Sequence, residues 1–431
     1  MEADPTRVNR VLVGLGPGVE VVGVVDRAGR PLGVHVRLGG DRPCCGSCGR
    51  RAWSKGSRCV VLVDLPVFGR PVRLVWHKRR WRCPDAACAV GSWTEQDSRI
   101  GAARGLLTAR AARWATRQAG AGRDIAAVAA ELGCGWHTVM ASVRRWGEAL
   151  LNADRGRLDG VTALGMDEIL VVRRGRYRRK TWATTAVDVR RGRLLDVFPG
   201  RTANAAAAWL RSRPPGWRRA VRWAVLDLSG PYRKAFGDAL AHARQVADPF
   251  HVVRLANSVL DEVRRRVQND TLGGRGTKHD PLYRIRKLLV MAKERVARAG
   301  QAKLQGLLAA GDPHGEVRDA WLAKEAVRDI YQVPTRRWAT AALDELARDL
   351  QDDAYSPELN RLGRTLAAWR PQITNWHASR ATNGPTEAAN NLAKRVKRVA
   401  FGFTNFDNFR IRALLYAGKP DWTLLKTLTP P

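Results

Sequence analysis

The chain is poor in acid: its 431 residues carry 40 Asp plus Glu against 75 Lys plus Arg, a formal net charge of +35. It also has no apolar run approaching the ~20 residues a membrane span needs. The nearest stretch, 11–25, is interrupted by glycines and Glu20 and lacks a basic leader segment and a small-residue cleavage site, so it reads as strands rather than a signal. Cysteines number seven, an odd count, and most precede residue 90. That suits a reducing compartment and a local metal site better than a disulfide framework. These absences exclude a membrane protein and a secreted disulfide scaffold; the expected location is the cytoplasm, with the nucleoid.

The basic excess is spread along the chain rather than confined to a tail. Its natural partner is a large polyanion, and nucleic acid leads. Simple charge packing would not need 45% apolar residues and 16 Trp. The length predicts two to four folded domains.

Cys45 and Cys48 are followed by two β-rich segments, 59–67 and 71–83, and then by Cys83 and Cys88. Two short-spaced cysteine pairs separated by strands suit one tetrahedral structural zinc in a small β zinc ribbon. Cys44 and Cys59 stand close enough to compete as ligands. From 106 to 150 the pattern turns helical. Residues 124–147 give a short helix, a glycine-containing turn at 133–135 and a second helix presenting Trp136, His137, Arg144 and Arg145, which is helix-turn-helix phrasing for double-stranded DNA.

Segments 163–172, 181–189 and 194–198 read as an antiparallel meander. A helix at 203–211, a strand at 221–228, a helix near 231–243, a strand at 245–248 and a helix from Pro249 follow. Three strands and then alternating helix and strand is the order of a ribonuclease-H-like α/β sheet. Residues 255–380 are helical and charged. The expected domains are a zinc-ribbon DNA-binding domain (1–95), a helix-turn-helix DNA-binding domain (96–155), the first part of the catalytic core (156–254), an all-helical insertion (255–380) and the C-terminal part of the core (381–431).

In such a sheet Asp167 lies on the first strand and Asp227 at the end of the fourth, while Glu387 arrives on a helix after the insertion. That helix predicts Gly384 as N-cap and Pro385 in the first turn. At about 100° per residue, Asn390, Asn391, Lys394 and Arg398 fall near Glu387, and Ala388, Ala389, Leu392, Ala393 and Val396 fall opposite. Lys394, Arg395, Lys397 and Arg398 are candidates for the DNA backbone. Three converging carboxylates can hold two Mg²⁺ (or Mn²⁺) for phosphodiester chemistry. Alternatives stay open: Glu168 points to the opposite face from Asp167, Asp188 and Asp196 also lie on strands, and Asp227 could cap the next helix. Asp248 and Pro249 read as an N-cap followed by Pro at N1, with a supporting or phosphate contact by His251 as the alternative. Phe401, Phe403, Phe406 and Phe409 divide between core and base-stacking platform.

The segments GMDE, VLDLSGPYRKAF, ADPFHVVRLAN and TNGPTEAANNLAKRVKRVAFGF, with the rest of the chain from the cysteine ribbon to about Gly418, resemble DDE transposases of bacterial insertion sequences, in the ISL-three-type group. The resemblance implies Asp167, Asp227 and Glu387 as the metal-binding triad and an N-terminal ribbon and helix-turn-helix that bind the terminal inverted repeats. It also implies metal-dependent DNA cleavage and strand transfer into target DNA by a dimer or larger assembly. The ribbon departs from the group at Gly46, where Pro is usual. The rival expectations are a ribonuclease-H-fold nuclease without strand transfer and a transposase-derived DNA-binding regulator.

Overall fold

The structure is a computed structural model that describes residues 14–16, 18–176 and 179–430. These form two compact units: the chain up to Leu158 together with that from Leu392 onward, and Asp159–Asn391.

In the first unit, β1 (Val19–Val25), β2 (Leu32–Leu38), β4 (Arg70–Arg82) and β3 (Trp53–Val67) lie side by side in that order, and β5 (Ser92–Thr94) also pairs with β4. The expected strand reading of 11–25 holds for β1, while 11–13 lie outside the described residues. Alternating Val34, Val36, Val72, Leu74 and Trp76 bury one face of the sheet, as period-two side chains must when one face is covered. The buried Asp64 carboxylate at the end of β3 accepts Thr108 Oγ1 (2.6 Å) and Arg110 Nε (2.8 Å). These bonds tie the sheet to α1 (Ala109–Gly120).

Asp124 caps α2 (Ile125–Leu132), accepting the amides of Ala126 (3.0 Å) and Ala127 (3.2 Å). Gly133 closes the helix in the left-handed conformation, φ +62°, and the chain turns into α3 (Trp136–Ala153). The expected C-terminal segment 381–431 divides: from Leu392 it belongs with the first unit. The cause is hydrophobic. Ile411 and Leu415 of α15 (Phe406–Ala417), with Leu425, share one core with α1, α2 and α3. A Cβ on Gly147 of α3 would lie 3.0 Å from Ile411 and Leu415.

The second unit holds a five-stranded sheet in the order β10 (Arg244–Ala247), β9 (Trp223–Leu226), β6 (Ala163–Arg174), β7 (Arg179–Asp188), β8 (Arg193–Pro199). β7 runs antiparallel to β6 and β8, while β6, β9 and β10 are mutually parallel. Helices α4 (Ala203–Arg211), α5 (Pro215–Ala220) and α6 (Gly230–Ala239) connect β8 to β9 and β9 to β10. α5 was not expected; its Pro215 stands at the first helical turn, where no amide is needed. β9 ends earlier than its apolar run suggests, because Leu228 takes φ +67° and turns the chain; Asp227 therefore sits just past the strand.

From Asp248 the chain is helical: α7 (Pro249–Leu272), α8 (Pro281–Val290), α9 (Arg298–Gly311), α10 (Glu316–Asp329), α11 (Arg336–Asp349), α12 (Pro357–Ala368) and α13 (Arg370–Ser379). They bury a shared apolar core that includes Val263, Ile285, Val317, Leu343 and Leu366. α14 (Gly384–Val399) then returns toward β6. Gly165 permits its approach: a Cβ there would overlap Thr386 Oγ1 and lie 2.9 Å from Val189 Cγ2. Gly165→Ala is therefore expected to cost about 1–3 kcal/mol by overpacking. Thr386→Ala in the same chain should recover part of that loss in denaturant melts, as coupled neighbours do.

Candidate active site and zinc centre

The parallel register of β6 and β9 pairs Ala163 with Trp223 and Gly165 with Val225. The pairing ends there, and Asp167 on β6 and Asp227 just past β9 each follow the last pair by two residues, on neighbouring segments of the sheet. Asp167 Oδ1 accepts the amide of Glu168 (2.7 Å) and Oδ2 accepts Asn390 Nδ2 (2.6 Å). Burial first, and then the charge of Asp227, push the Asp167 carboxyl up to about 6. One oxygen of Asp227, Oδ1, is buried without a hydrogen-bond partner. An orphaned carboxylate oxygen beside a second carboxylate calls for a cation.

Glu387 lies on the first turn of α14. The carbonyl of Asn383 accepts the amides of Thr386 (2.9 Å) and Glu387 (3.0 Å), so Asn383 takes the cap position expected of Gly384. The Glu387 carboxylate is 3.4 Å from His251 Nε2, and its side chain is 44% exposed. His251 Nδ1 bonds Asp248 Oδ2 (3.1 Å), and Asp248 Oδ1 accepts the amide of Asn383 (2.7 Å). The bond to Asp248 raises the imidazole above its ordinary value, with smaller contributions from Asp227 and Glu387. Asp227 thus acts on both Asp167 and His251, and Glu387 on His251. Among the described residues, the cysteine tetrad is the one group of three or more potential ligands whose atoms all lie within 4.8 Å of one another.

The competing acids are occupied. Glu168 pairs with Arg201 (3.5 Å) on the other side of β6. Asp188 accepts the amides of Arg190 (3.0 Å) and Arg191 (3.3 Å) in the β7–β8 turn, and Asp196 accepts the indole N–H of Trp209 (2.9 Å). Asn390 departs from the expected polar face. It is 1% exposed, and it accepts Thr185 Oγ1 (2.7 Å) while donating to Asp167. Ala388 and Leu392, expected on the apolar side, are exposed, and Thr386, Ala389, Ala393 and Val396 are buried. The signal for Asn390 was its place one turn after Glu387 (i+3); a wheel alone counts an amide as solvent-facing.

The four thiols of Cys45, Cys48, Cys83 and Cys88 cluster, with Sγ–Sγ distances of 3.7 Å for Cys45–Cys88 and 3.4 Å for Cys48–Cys83. Amides of Cys48 and Ser47 lower the Cys45 thiol to about 7, favouring the thiolate a metal takes. Cys44 and Cys59 are exposed and outside the cluster; Cys59 Sγ lies 3.4 Å from His77 Nδ1.

On α3, Trp136 and His137 are exposed, with their rings edge to face at 5.1 Å. Arg145 is half-buried, while Arg144 is engaged by Glu148 (3.3 Å) and Asp407 (3.1 Å). Lys394, Arg395 and Arg398 are exposed and Lys397 half-buried. Phe403 and Phe409 are core, and Phe401 is 99% exposed.

Residues 164–413 match the family model of ISL3-type DDE transposases, described as transposase. Residues 41–88 match the zinc-finger of transposase IS204/IS1001/IS1096/IS1165. The chain is 26% identical over 411 residues, 92% of itself and 95% of the relative, to the transposase for insertion sequence element IS1001 of Bordetella parapertussis. It is 29% identical over 293 residues, 62% of each chain, to the transposase for insertion sequence element IS1557 of Mycobacterium tuberculosis. A chain that holds both an acid-bearing α/β unit and a cysteine ribbon thus has the equipment of a DNA transposase. The chain belongs to the ISL3-type DDE transposase family, and its ribbon is a zinc ribbon.

Two outcomes follow. Purified protein should contain one zinc, lost in Cys48→Ser and kept in Cys44→Ser and Cys59→Ser; metal analysis checks this. The raised Asp167 value means that its contribution to stability is present at low pH and disappears as pH rises through about 6. Without divalent ions, wild type should therefore lose stability relative to Asp167→Asn as pH rises from about 4 to about 6, with no further loss above that, measured by paired melts.

Proposed function

We propose that Asp167, Asp227 and Glu387 form the catalytic triad of this transposase, and that the chain cuts DNA at the ends of its insertion sequence and joins the freed 3′-hydroxyl to target DNA. The placement of Asp167 and Asp227 just beyond the β6–β9 pairing, close enough for Asp227 to act on the Asp167 carboxyl, with the helix of Glu387 tied to Asp167 by Asn390, carries the reading. The sheet order, in which β7 alone runs against the other four strands, supports a ribonuclease-H-like core interrupted by the helices of 255–380. Two Mg²⁺ or Mn²⁺ ions held by the triad would activate the attacking water or 3′-hydroxyl and stabilise the leaving oxygen.

The protein groups prepare that site. The amide of Glu168 and the side chain of Asn390 hold the two oxygens of Asp167 in place. Asp248 orients His251, which faces Glu387. Cys45, Cys48, Cys83 and Cys88 are the proposed zinc ligands. The α2–α3 pair is a helix-turn-helix in this reading: Trp136, His137, Arg144 and Arg145 meet the terminal inverted repeats, and Lys394, Arg395, Lys397 and Arg398 meet phosphates. Because Arg144 already has two carboxylate partners, Arg145 is the stronger candidate of the two. Pairing two element ends calls for a homodimer or larger assembly, working on the cytoplasmic nucleoid.

The test is magnesium-dependent nicking and joining of a labelled element-end duplex. Glu387→Gln, Asp167→Asn and Asp227→Asn each remove several kcal/mol of transition-state stabilisation, so nicking should fall by more than about a hundredfold while gel-shift binding survives. Asp188→Asn and Asp196→Asn should leave nicking per folded molecule near wild type. Near-normal nicking by Glu387→Gln would overturn the triad; nicking without joining would reduce the protein to a nuclease.

A further inference from the structure

We propose that Phe68, at the tip of the β3–β4 hairpin, is a wedge that contacts bases beside the segment read by α3. The inference rests on the reading of the N-terminal unit as a DNA-binding unit. Val67 pairs with Arg70 across a two-residue turn. In that turn Phe68 takes φ +48° and Gly69 φ +76°. Paired left-handed positions of this kind belong to Asn-Gly, Asp-Gly or Gly-Gly. Phenylalanine bears a steric cost there. It also leaves its ring in water, for Phe68 is 91% exposed. The fold offsets neither cost, whereas a ring inserted at a base step leaves water and stacks on bases.

The hairpin end is fixed next to the helix pair. Arg73 donates to the carbonyls of Leu132 (3.3 Å) and Gly133 at the end of α2. A Cβ on Gly133 would lie 2.7 Å from Pro71 Cβ. Trp136 and His137, both exposed, begin α3 just beyond that turn. The wedge and the reading helix are therefore carried by one rigid corner.

Charge selects the occupant. The chain carries +35, and Arg70, next to the tip, is held by Asp26 in a pair whose side chains are 44% and 62% exposed. That pair is bidentate, at 2.7 and 3.2 Å, but it is open to solvent and screened by salt, so a phosphate can compete with Asp26 for the guanidinium. A ribbon tip with one aromatic ring and an exchangeable guanidinium matches a groove floor flanked by phosphates.

Full-length protein should be titrated against fluorescent duplexes carrying the sequences that flank the gene, against a shuffled duplex of equal length, and against a copy with 2-aminopurine at successive positions. Phe68→Asn suits the left-handed turn, so zinc content and melting temperature should stay at or above wild type. Its affinity should fall by about tenfold. The slope of log affinity against log salt should not change, since no phosphate contact is lost. Phe68→Trp should bind as wild type, and 2-aminopurine should brighten at one position with wild type and stay dark with Phe68→Asn. Wild-type affinity in Phe68→Asn overturns the inference alone. Altered sedimentation of that variant with DNA affinity intact assigns the tip to a contact between copies and also overturns it. Wild type that binds none of the duplexes removes the DNA-binding reading and this inference together.

Discussion

The bond from Asn390 to Asp167 holds the rest of the acidic site in order. Asn390 has its donor on Asp167 and its acceptor on the hydroxyl of Thr185, so one buried amide fixes α14 to both β6 and β7. An amide suits the position because it offers a donor to a carboxylate and an acceptor to a hydroxyl without adding charge. Gly165 gives α14 the room to come this close, and Asp248 holds the chain just before the helix through Asn383. With both ends of its first turn anchored, Glu387 has a defined place relative to Asp167.

Electrostatics makes the site unusual within this chain. Carboxylates elsewhere are largely matched by bases, as where Glu316 and Glu358 share Arg266 in the helical insertion. Asp167 and Asp227 have no Lys or Arg ion-pair partner among the described residues; Asp167 instead feels Asp227 and Glu168 as like charges. Leaving two half-buried acids unmatched in a chain with 75 Lys plus Arg costs stability. The cost makes sense where a divalent cation supplies the missing charge.

Local patterning made much of this legible. Alternation with short basic turns marked the three-stranded meander, and paired cysteines around strands marked the ribbon. Asp248 followed by Pro249 marked the start of α7. What escaped was set by partners distant in sequence. Asn390 is buried because Thr185, some two hundred residues earlier, meets it. Arg144 looked free on its helix until Asp407 reached it. The C-terminal helix joined the first unit because Gly147 leaves room for Ile411 and Leu415, a fit that no periodicity encodes. Cys59, which left the ligand choice open because it sits on a strand between the two cysteine pairs, faces His77.

Asp167, Asp227 and Glu387 are proposed to form one divalent-metal site, with Asn390 holding Asp167. Crystals of the protein soaked in Mn²⁺, with anomalous difference maps, would locate the ions. Manganese peaks should appear, coordinated by Asp167 and Asp227, with Glu387 as a ligand of at least one ion. Manganese bound elsewhere, with these carboxylates left uncoordinated, would contradict the proposal.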